Sequence, residues 1–305
     1  MKKYFLIPFV FLLLACSGSK QYYEPTKYSK LKEVKAKKEK LPKKFKNYEI
    51  INAKDNLLMI SNDEGFLKII EDKEVIFNKK FDTKIISVDI LDDKAVAVDS
   101  LNNIIVFDLL EQKYLFSQNF GTYNGIIKNV ANPIISDRIT MVPTLDGKLI
   151  ILDNNSFTPV KSINLGTQNS FNNIIFLKAH NDTLVTASAS KIFTLHNNQV
   201  YQKTFGIKQI FIKDNHIYVF SSNGEIIKYD YELNEILKKK YKYAIFSKTY
   251  LYNDYIYALE YGGYVIKLDD DLNEIAVYKL GSKIKKDVLF EKDVLFFNKK
   301  SYRLK

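Results

Sequence analysis

An all-β fold, a single β-propeller of seven four-stranded blades, is what the 305-residue sequence predicts, and three observations predict it. A two-strand phrase recurs seven times at a nearly constant interval. Each copy turns on residues suited to tight hairpins, and runs with helical spacing of apolar residues are nearly absent. With 46% hydrophobic residues, 21 Phe and 21 Tyr, the chain has ample material for a core and lacks the composition of wholesale disorder.

The first element is an address. Lys2 and Lys3 precede an uncharged run, Tyr4 to Ala15, that falls short of the about 20 residues a bilayer-spanning helix needs. It reads as the apolar region of a signal peptide occupying 1–15. The run ends Leu13-Leu14-Ala15-Cys16, followed by Ser17-Gly18-Ser19. This tetrad resembles the lipobox of bacterial lipoproteins, in which the Cys is acylated and becomes the first mature residue. The blander reading is an ordinary secretory signal with a Cys near its cleavage site. Cys16 is the chain's one Cys, and an unpaired thiol in an oxidising compartment is otherwise a liability. One Cys also excludes an internal disulfide framework and a Cys-clustered zinc site. In well-studied Gram-negative systems Asp after the lipidated Cys retains the protein at the inner membrane; Ser17 stands there and favours the outer one.

The second element, residues 16–46, reads as a lipidated Cys followed by a basic tether. From 20 to 46 the chain carries 11 Lys and three Glu, a net of +8. Removing that and the +2 of Lys2 and Lys3 from the chain's +11 leaves +1 for residues 47–305. The basic excess is therefore local, and no nucleic-acid partner is expected. Dense Lys, Pro42 and weak apolar patterning predict an extended, self-repelling spacer with a reach on the order of 90 Å when fully stretched. Beside anionic lipid each Lys gains about 1 kcal/mol. A plain solubilising spacer explains the composition equally well.

The third element, residues 47–305, is the repeat. Its copies are LLMISNDEGFLKIIED (57–72), AVAVDSLNNIIVFD (95–108), ITMVPTLDGKLIILD (139–153), LVTASASKIFTLH (184–196), IYVFSSNGEIIKYD (217–230), IYALEYGGYVIKLD (256–269) and VLFFNKKSYRLK (294–305). Counted at the turns (Gly65, Asn103, Gly147, Ser190, Gly224, Gly263, Lys300), the steps are 38, 44, 43, 34, 39 and 37 residues. Asp146-Gly147 and Asn223-Gly224 supply the positive-φ residues a tight hairpin needs. Both strands of each hairpin are apolar on both faces, as expected where every blade is covered by two neighbours. A short apolar strand precedes each hairpin (KIISVDIL, IIFLKA, IKQIFIK) and should line a central channel. A strand with a Lys-aromatic or Lys-Leu end follows it (NKKF, VKSINL, YQKTF) and should form the rim. A pair of β-sandwiches is the competing architecture, and seven in-phase copies disfavour it.

The last copy stops at Lys305, after its third strand. Because an open ring bares an edge strand, a segment within Tyr28 to Phe45 is expected to supply the missing outer strand.

With GKLIILD (147–153), GEIIKYD (224–230) and GYVIKLD (263–269) behind a lipobox and tether, the chain resembles the pyrroloquinoline-quinone-type propeller lipoproteins, among them the outer-membrane β-barrel assembly family BamB. The resemblance spans residues 16–305 and implies a propeller fold, the outer-membrane compartment on its periplasmic side, and protein docking. Two features depart from it. The family hairpin continues Asp-x-x-Thr-Gly-Lys with a Trp in the outer strand, whereas this chain has no Trp and no Thr-Gly-Lys. The BamB ring has eight blades rather than seven. A quinone cofactor is not implied, since vicinal Cys and a stacking Trp are lacking.

Residues that could carry chemistry read as structural. His180, His196 and His216 fall in two different repeats and near turns, so no metal site is expected. The recurrent Asp108, Asp153, Asp230 and Asp269 hold one place in the repeat, where Asp bonds backbone N–H groups of the following turn. No nucleophile–base order or phosphate loop is present. The fifth and sixth repeats are rich in Tyr, and Tyr241, Tyr243, Tyr250, Tyr252, Tyr255, Tyr257, Tyr261 and Tyr264 are candidate interface residues. Tyr also fills gaps between blades, which is the plainer role.

Together these features predict a non-enzymatic, lipid-anchored periplasmic scaffold without cofactor. It would be a monomeric propeller within a larger complex, docking periplasmic or outer-membrane proteins in the manner of BamB. Two alternatives are an accessory docking protein of a periplasmic redox complex and a small-ligand-binding propeller. The mostly apolar inner strands weigh against the second.

Overall fold

A computed structural model of the chain describes residues 21–26, 29–38, 47–72, 74–123, 130–165, 173–180, 182–284, 288–291, 293–297 and 300–304. The signal segment and Cys16 lie outside them. Among the described residues there is no helix, and the strands fall into seven sheets, six of four strands and one of five. In blades one to five the strands are hydrogen-bonded in chain order, in blades six and seven an upstream strand is added at the outer edge, and the seven hairpins read from the sequence are the second and third strands. The first strands of successive blades lie against one another around the centre, as Glu49–Lys54 does on Ile85–Leu91 and Ile207–Lys213 on Phe246–Tyr252. The fourth strands, such as Pro159–Asn164 and Gln199–Thr204, are largely exposed and form the rim.

Apolar clusters fill the gaps between successive blades. Met59, Leu67 and Phe81 of blade one meet Ile105 and Phe107 of blade two. Tyr218, Phe220 and Tyr241 of blade five meet Ile256 and Ile266 of blade six. Tyr257 and Tyr278 of blade six meet Leu295 and Tyr302 of blade seven. This is why both faces of the second and third strands are apolar: each face has a blade to cover it.

The hairpin turns repeat one device. A polar side chain at the end of the second strand accepts from the backbone beyond the turn, as Asn62 does from the Phe66 N–H (2.9 Å), Asp99 from Asn103 (2.8 Å) and Ser221 from Glu225 (2.9 Å). The carbonyl of the positive-φ turn residue then receives an N–H from the end of the rim strand: Phe81 to Gly65 (3.0 Å), Tyr241 to Gly224 (2.8 Å), Leu280 to Gly263 (2.9 Å). In blade two that residue is Asn102, with φ 66°, bonded by Phe120, so the repeat is phased on Asn102 and not on Asn103. Asn tolerates the left-handed region, and one residue of register was invisible in the run Asn102-Asn103.

The tether departs most from expectation. Residues 21–26 and 29–38 do not stand off the ring; they form a strap across three blades. Tyr23 is buried in the cluster between blades five and six, edge-on to Tyr264 (5.5 Å between ring centres) and Tyr241 (6.0 Å). Leu31–Glu33 then pairs parallel with Glu274–Lys279 as a fifth strand of blade six. Val34 packs into the cluster between blades six and seven. Ala36–Lys38 pairs antiparallel with Lys300–Arg303, giving blade seven its fourth strand from within the segment 28–45. Backbone pairing, indifferent to side-chain charge, is what the composition argument missed: a Lys-rich strand suits an exposed edge.

The inner strands differ as well. They were expected to be mostly apolar, yet they carry polar groups that reach the next blade. Asn52 Nδ2 donates to the Val88 carbonyl (2.7 Å), Gln209 Nε2 to Ser247 (3.0 Å) and Lys248 Nζ to Val288 (3.1 Å). Lys54 Nζ bonds both Asp89 (3.1 Å to Oδ1) and the Ile90 carbonyl (3.0 Å). These groups join neighbouring blades near the axis.

Candidate functional site

The strap and the turns decide which of the nominated residues can meet a partner. Tyr241 and Tyr257 are buried between blades, which corrects their nomination as interface residues. Burial raises both hydroxyls above the ordinary tyrosine value, Tyr257 to about 12. Tyr250, Tyr252 and Tyr255 are half-buried against the cluster between blades six and seven, and Tyr264 against that between five and six. Tyr255 carries the Lys267 ammonium 3.8 Å above its ring, and Tyr257 lies 5.6 Å from the same group. The gap-filling role thus accounts for six of the eight. Tyr243 and Tyr261 are different: they are 38% and 39% exposed.

These two do not stand alone. Tyr243, at φ 62°, and Ile245 lie on the link between blades five and six, and Tyr261 lies on the hairpin turn of blade six. The Tyr261 N–H donates to the Ile245 carbonyl (2.9 Å), and the Ile284 N–H to that of Tyr261 (3.0 Å), which knits the two segments. Beneath them Glu260 is buried, accepting from the N–H groups of Gly262 (2.7 Å) and Ile245 (3.4 Å). Burial raises its carboxyl above the usual range against those bonds and the nearby Lys283 charge. Tyr22, beside the buried Tyr23, joins the group through Lys283, whose Nζ stands 5.2 Å from the Tyr22 ring. Lys242 lies likewise 5.0 Å from the ring of Tyr243. Tyr22 and Ile245 escaped notice in the sequence, because their membership depends on where the strap lands.

A second exposed group sits on the rim of blades one and two, on another part of the ring. Val75 and Ile76 of the fourth strand Glu74–Lys80 are exposed together, and Tyr114 of Lys113–Asn119 is exposed while packing edge-on to Phe107 and Phe81. Strand propensity explains each residue singly.

The chemistry-bearing residues stay structural. Asp108, Asp153, Asp230 and Asp269 each accept backbone N–H groups of the turn after the third strand, for example Asp108 from Glu111 (2.7 Å) and Asp269 from Asn273 (2.7 Å). His196 bonds Thr183 through Nδ1 (2.7 Å). Among the described residues no three His, Cys, Asp or Glu side chains gather as a metal set. A cleft of about 280 Å³ lies among Phe205, Ser221, Asn223, Glu225 and Lys238, below the size usual for small-ligand pockets.

Comparison with known proteins bears on the fold more than on the site. No known family model matches the chain. It is 26% identical over 154 residues to the plasminogen-binding protein PgbB of Helicobacter pylori strain J99, a match covering 50% of this chain and 28% of that protein. PgbB of a second Helicobacter pylori strain is 26% identical over 137 residues, covering 44% and 25%. The chain therefore matches little more than a quarter of these curated relatives' length. Among solved structures, BamB from Moraxella catarrhalis superposes with a TM-score of 0.69 at 14% identity, covering 84% of both chains. The C-terminal WD40 domain of Sif2 gives 0.65 at 12% identity, covering 81% of this chain and 77% of that one. The fold is a β-propeller resembling BamB. No helix among the described residues is long and apolar enough to cross a membrane.

Proposed function

We propose that the chain is a lipid-anchored docking scaffold without catalysis of its own, acylated at Cys16 and held on the periplasmic side of the outer membrane, where it presents a rigid ring to proteins of outer-membrane assembly. The observation that carries this reading is the BamB-like propeller behind an LLAC tetrad. The rims of blades one and two support it, because Val75, Ile76 and Tyr114 are exposed there and are apolar or aromatic, the residue types that anchor interfaces. The recurrent aspartates Asp108, Asp153, Asp230 and Asp269 are spent on capping turns, which suits a framework better than an active site.

The test is cross-linking on intact membranes, followed by identification of captured proteins. Wild type should partition with detergent and capture envelope proteins. Cys16→Ala should accumulate as unprocessed precursor or soluble protein, and Val75→Asp with Tyr114→Ala should lose the captured proteins while keeping the fold. Correct processing and detergent partitioning of Cys16→Ala would reject the anchor, and capture untouched by the rim variants would reject the docking surface.

A second reading is favoured by the relatives named for plasminogen binding. Binding of the purified chain to immobilised plasminogen, against an unrelated basic propeller as control, decides it.

A further inference from the structure

We propose that the patch formed by Tyr22, Tyr243, Ile245 and Tyr261, with Lys242 and Lys283, seats on the anionic headgroup surface of the membrane, so that the ring rests on the edge of blades five and six. The proposal rests on the reading of Cys16 as the lipid-bearing residue for its distance argument alone.

The strap supplies that argument. Tyr23 is only 6% exposed and wedged between blades, so the ring holds the chain at that point, with Tyr22 exposed beside it. Five residues separate Tyr22 from Cys16, and even fully extended they span about 20 Å. A long basic tether would have let the propeller hang far from the bilayer in any orientation. A short one docked at blade five does not: the Tyr22 patch is held within that distance of the lipid. A folded domain of 100 residues has a radius of gyration of about 13 Å and would not fit beneath it. Lipid is thus the partner this patch meets.

The composition agrees with the position. Tyr22 is 55% exposed and Ile245 52%, with Tyr243 and Tyr261 beside them. Tyrosine places its ring at the headgroup level with the hydroxyl in water. The ammonium groups of Lys242 and Lys283 lie at 5.0 and 5.2 Å from the rings of Tyr243 and Tyr22, where each also faces anionic headgroups. The one deeply buried acid beneath the patch, Glu260, is turned to backbone N–H groups.

The chain contains no Trp, so one substitution creates a single fluorescent reporter. Full-length protein carrying Tyr261→Trp, or Tyr114→Trp on the rim of blades one and two, is reconstituted in vesicles of phosphatidylcholine and phosphatidylglycerol containing brominated lipid. Tyr261→Trp should be blue-shifted and quenched, and Tyr114→Trp neither. Intact mass of the same preparation reports acylation. If the protein is acylated and Tyr261→Trp is unquenched, or both reporters are quenched alike, the patch proposal falls while the anchor stands. If it is not acylated, the anchor reading falls, and binding of the processed chain to the same vesicles tests the patch directly. Lys242→Gln with Lys283→Gln should then weaken binding about 30-fold, as two lysines at about 1 kcal/mol each imply. Unchanged binding, or photo-cross-linking from position 261 to protein rather than lipid, would overturn the proposal.

Discussion

Replacing Tyr23 with Ala should unlatch the strap and destabilise the whole ring. Its ring is buried between blades five and six, edge-on to Tyr241 and Tyr264 and in one cluster with Phe246 and Ile266. Truncating a buried aromatic costs about 3–5 kcal/mol, and a ring of this size loses roughly 2–4 °C of melting temperature per kcal/mol. The midpoint should therefore fall by roughly 6–20 °C. The neighbouring Tyr22→Ala is the control: Tyr22 is exposed, and surface substitutions stay within about 0.5 kcal/mol. A chain beginning at Asn47 should lose at least as much as Tyr23→Ala, because it also bares the outer strands of blades six and seven. The assay is thermal or urea unfolding of the processed chain, followed by circular dichroism in the strand region. Equal midpoints for Tyr23→Ala and Tyr22→Ala would refute the wedge. A chain starting at Asn47 that matched the longer one would refute the strap as a closing element.

Two further substitutions probe the ring. Gly224 (φ +82°) and Gly281 (φ +67°) both occupy the left-handed region, but a Cβ at Gly224 would press into the Tyr241 carbonyl while one at Gly281 meets open space. Both Ala variants carry the about 1–2 kcal/mol of left-handed strain, and Gly224→Ala should cost about 2 kcal/mol more by urea unfolding. Glu260 has its carboxyl raised by burial, so the folded state holds a proton that the unfolded state has already released above the ordinary Glu range. Stability should thus decline as pH rises from that range through the raised folded value, and Glu260→Gln should flatten the decline and match or exceed wild type at pH 7. A steeper pH profile in the variant would contradict this.

The hairpins were legible because their signal is local: continuous apolar runs and positive-φ turn residues are written within about 15 residues of each other. The turn residues Gly65, Gly147, Ser190, Gly224 and Gly263 and all four turn aspartates follow from that signal; Lys300 opens the third strand of blade seven, whose turn at 298–299 lies outside the described residues. What escaped depends on distance in sequence. Whether Tyr257 points into a blade gap and Tyr261 into solvent is settled by register against Lys267 and by the turn at Gly262-Gly263, and composition sees only two tyrosines four residues apart. The strap was half legible. A missing strand in the last repeat demanded a donor upstream, but the parallel fifth strand Leu31–Glu33 answers no such demand, and a Lys-rich sequence gave no cause to dock it.

The difference from the resembled hairpin pattern becomes intelligible in the same terms. Where the resembled pattern has Asp-x-x-Thr-Gly-Lys, blades five and six have Asp230-Tyr231-Glu232-Leu233-Asn234-Glu235 and Asp269-Asp270-Asp271-Leu272-Asn273-Glu274. Asp230 Oδ1 accepts from the Asn234 N–H (2.8 Å) and its Oδ2 from the Asn234 side chain (3.0 Å); Asp269 and Asn273 repeat both bonds. The Asp–Asn pair thus does the capping. The left-handed position falls on Leu233 (φ 62°) and Leu272 (φ 59°), which no branched-chain preference would select. Each such residue carries about 1–2 kcal/mol of strain. Yet Leu233 is buried in the cluster between blades four and five and Leu272 in that between five and six, and burying a leucine contributes about 1.5–3 kcal/mol. Strain and burial nearly offset, with the balance on the side of burial. In these two blades the turn itself supplies apolar volume to the blade gap. Capping the turn and filling the gap thus fall to residues of one short segment, the Asp–Asn pair and the leucine between them.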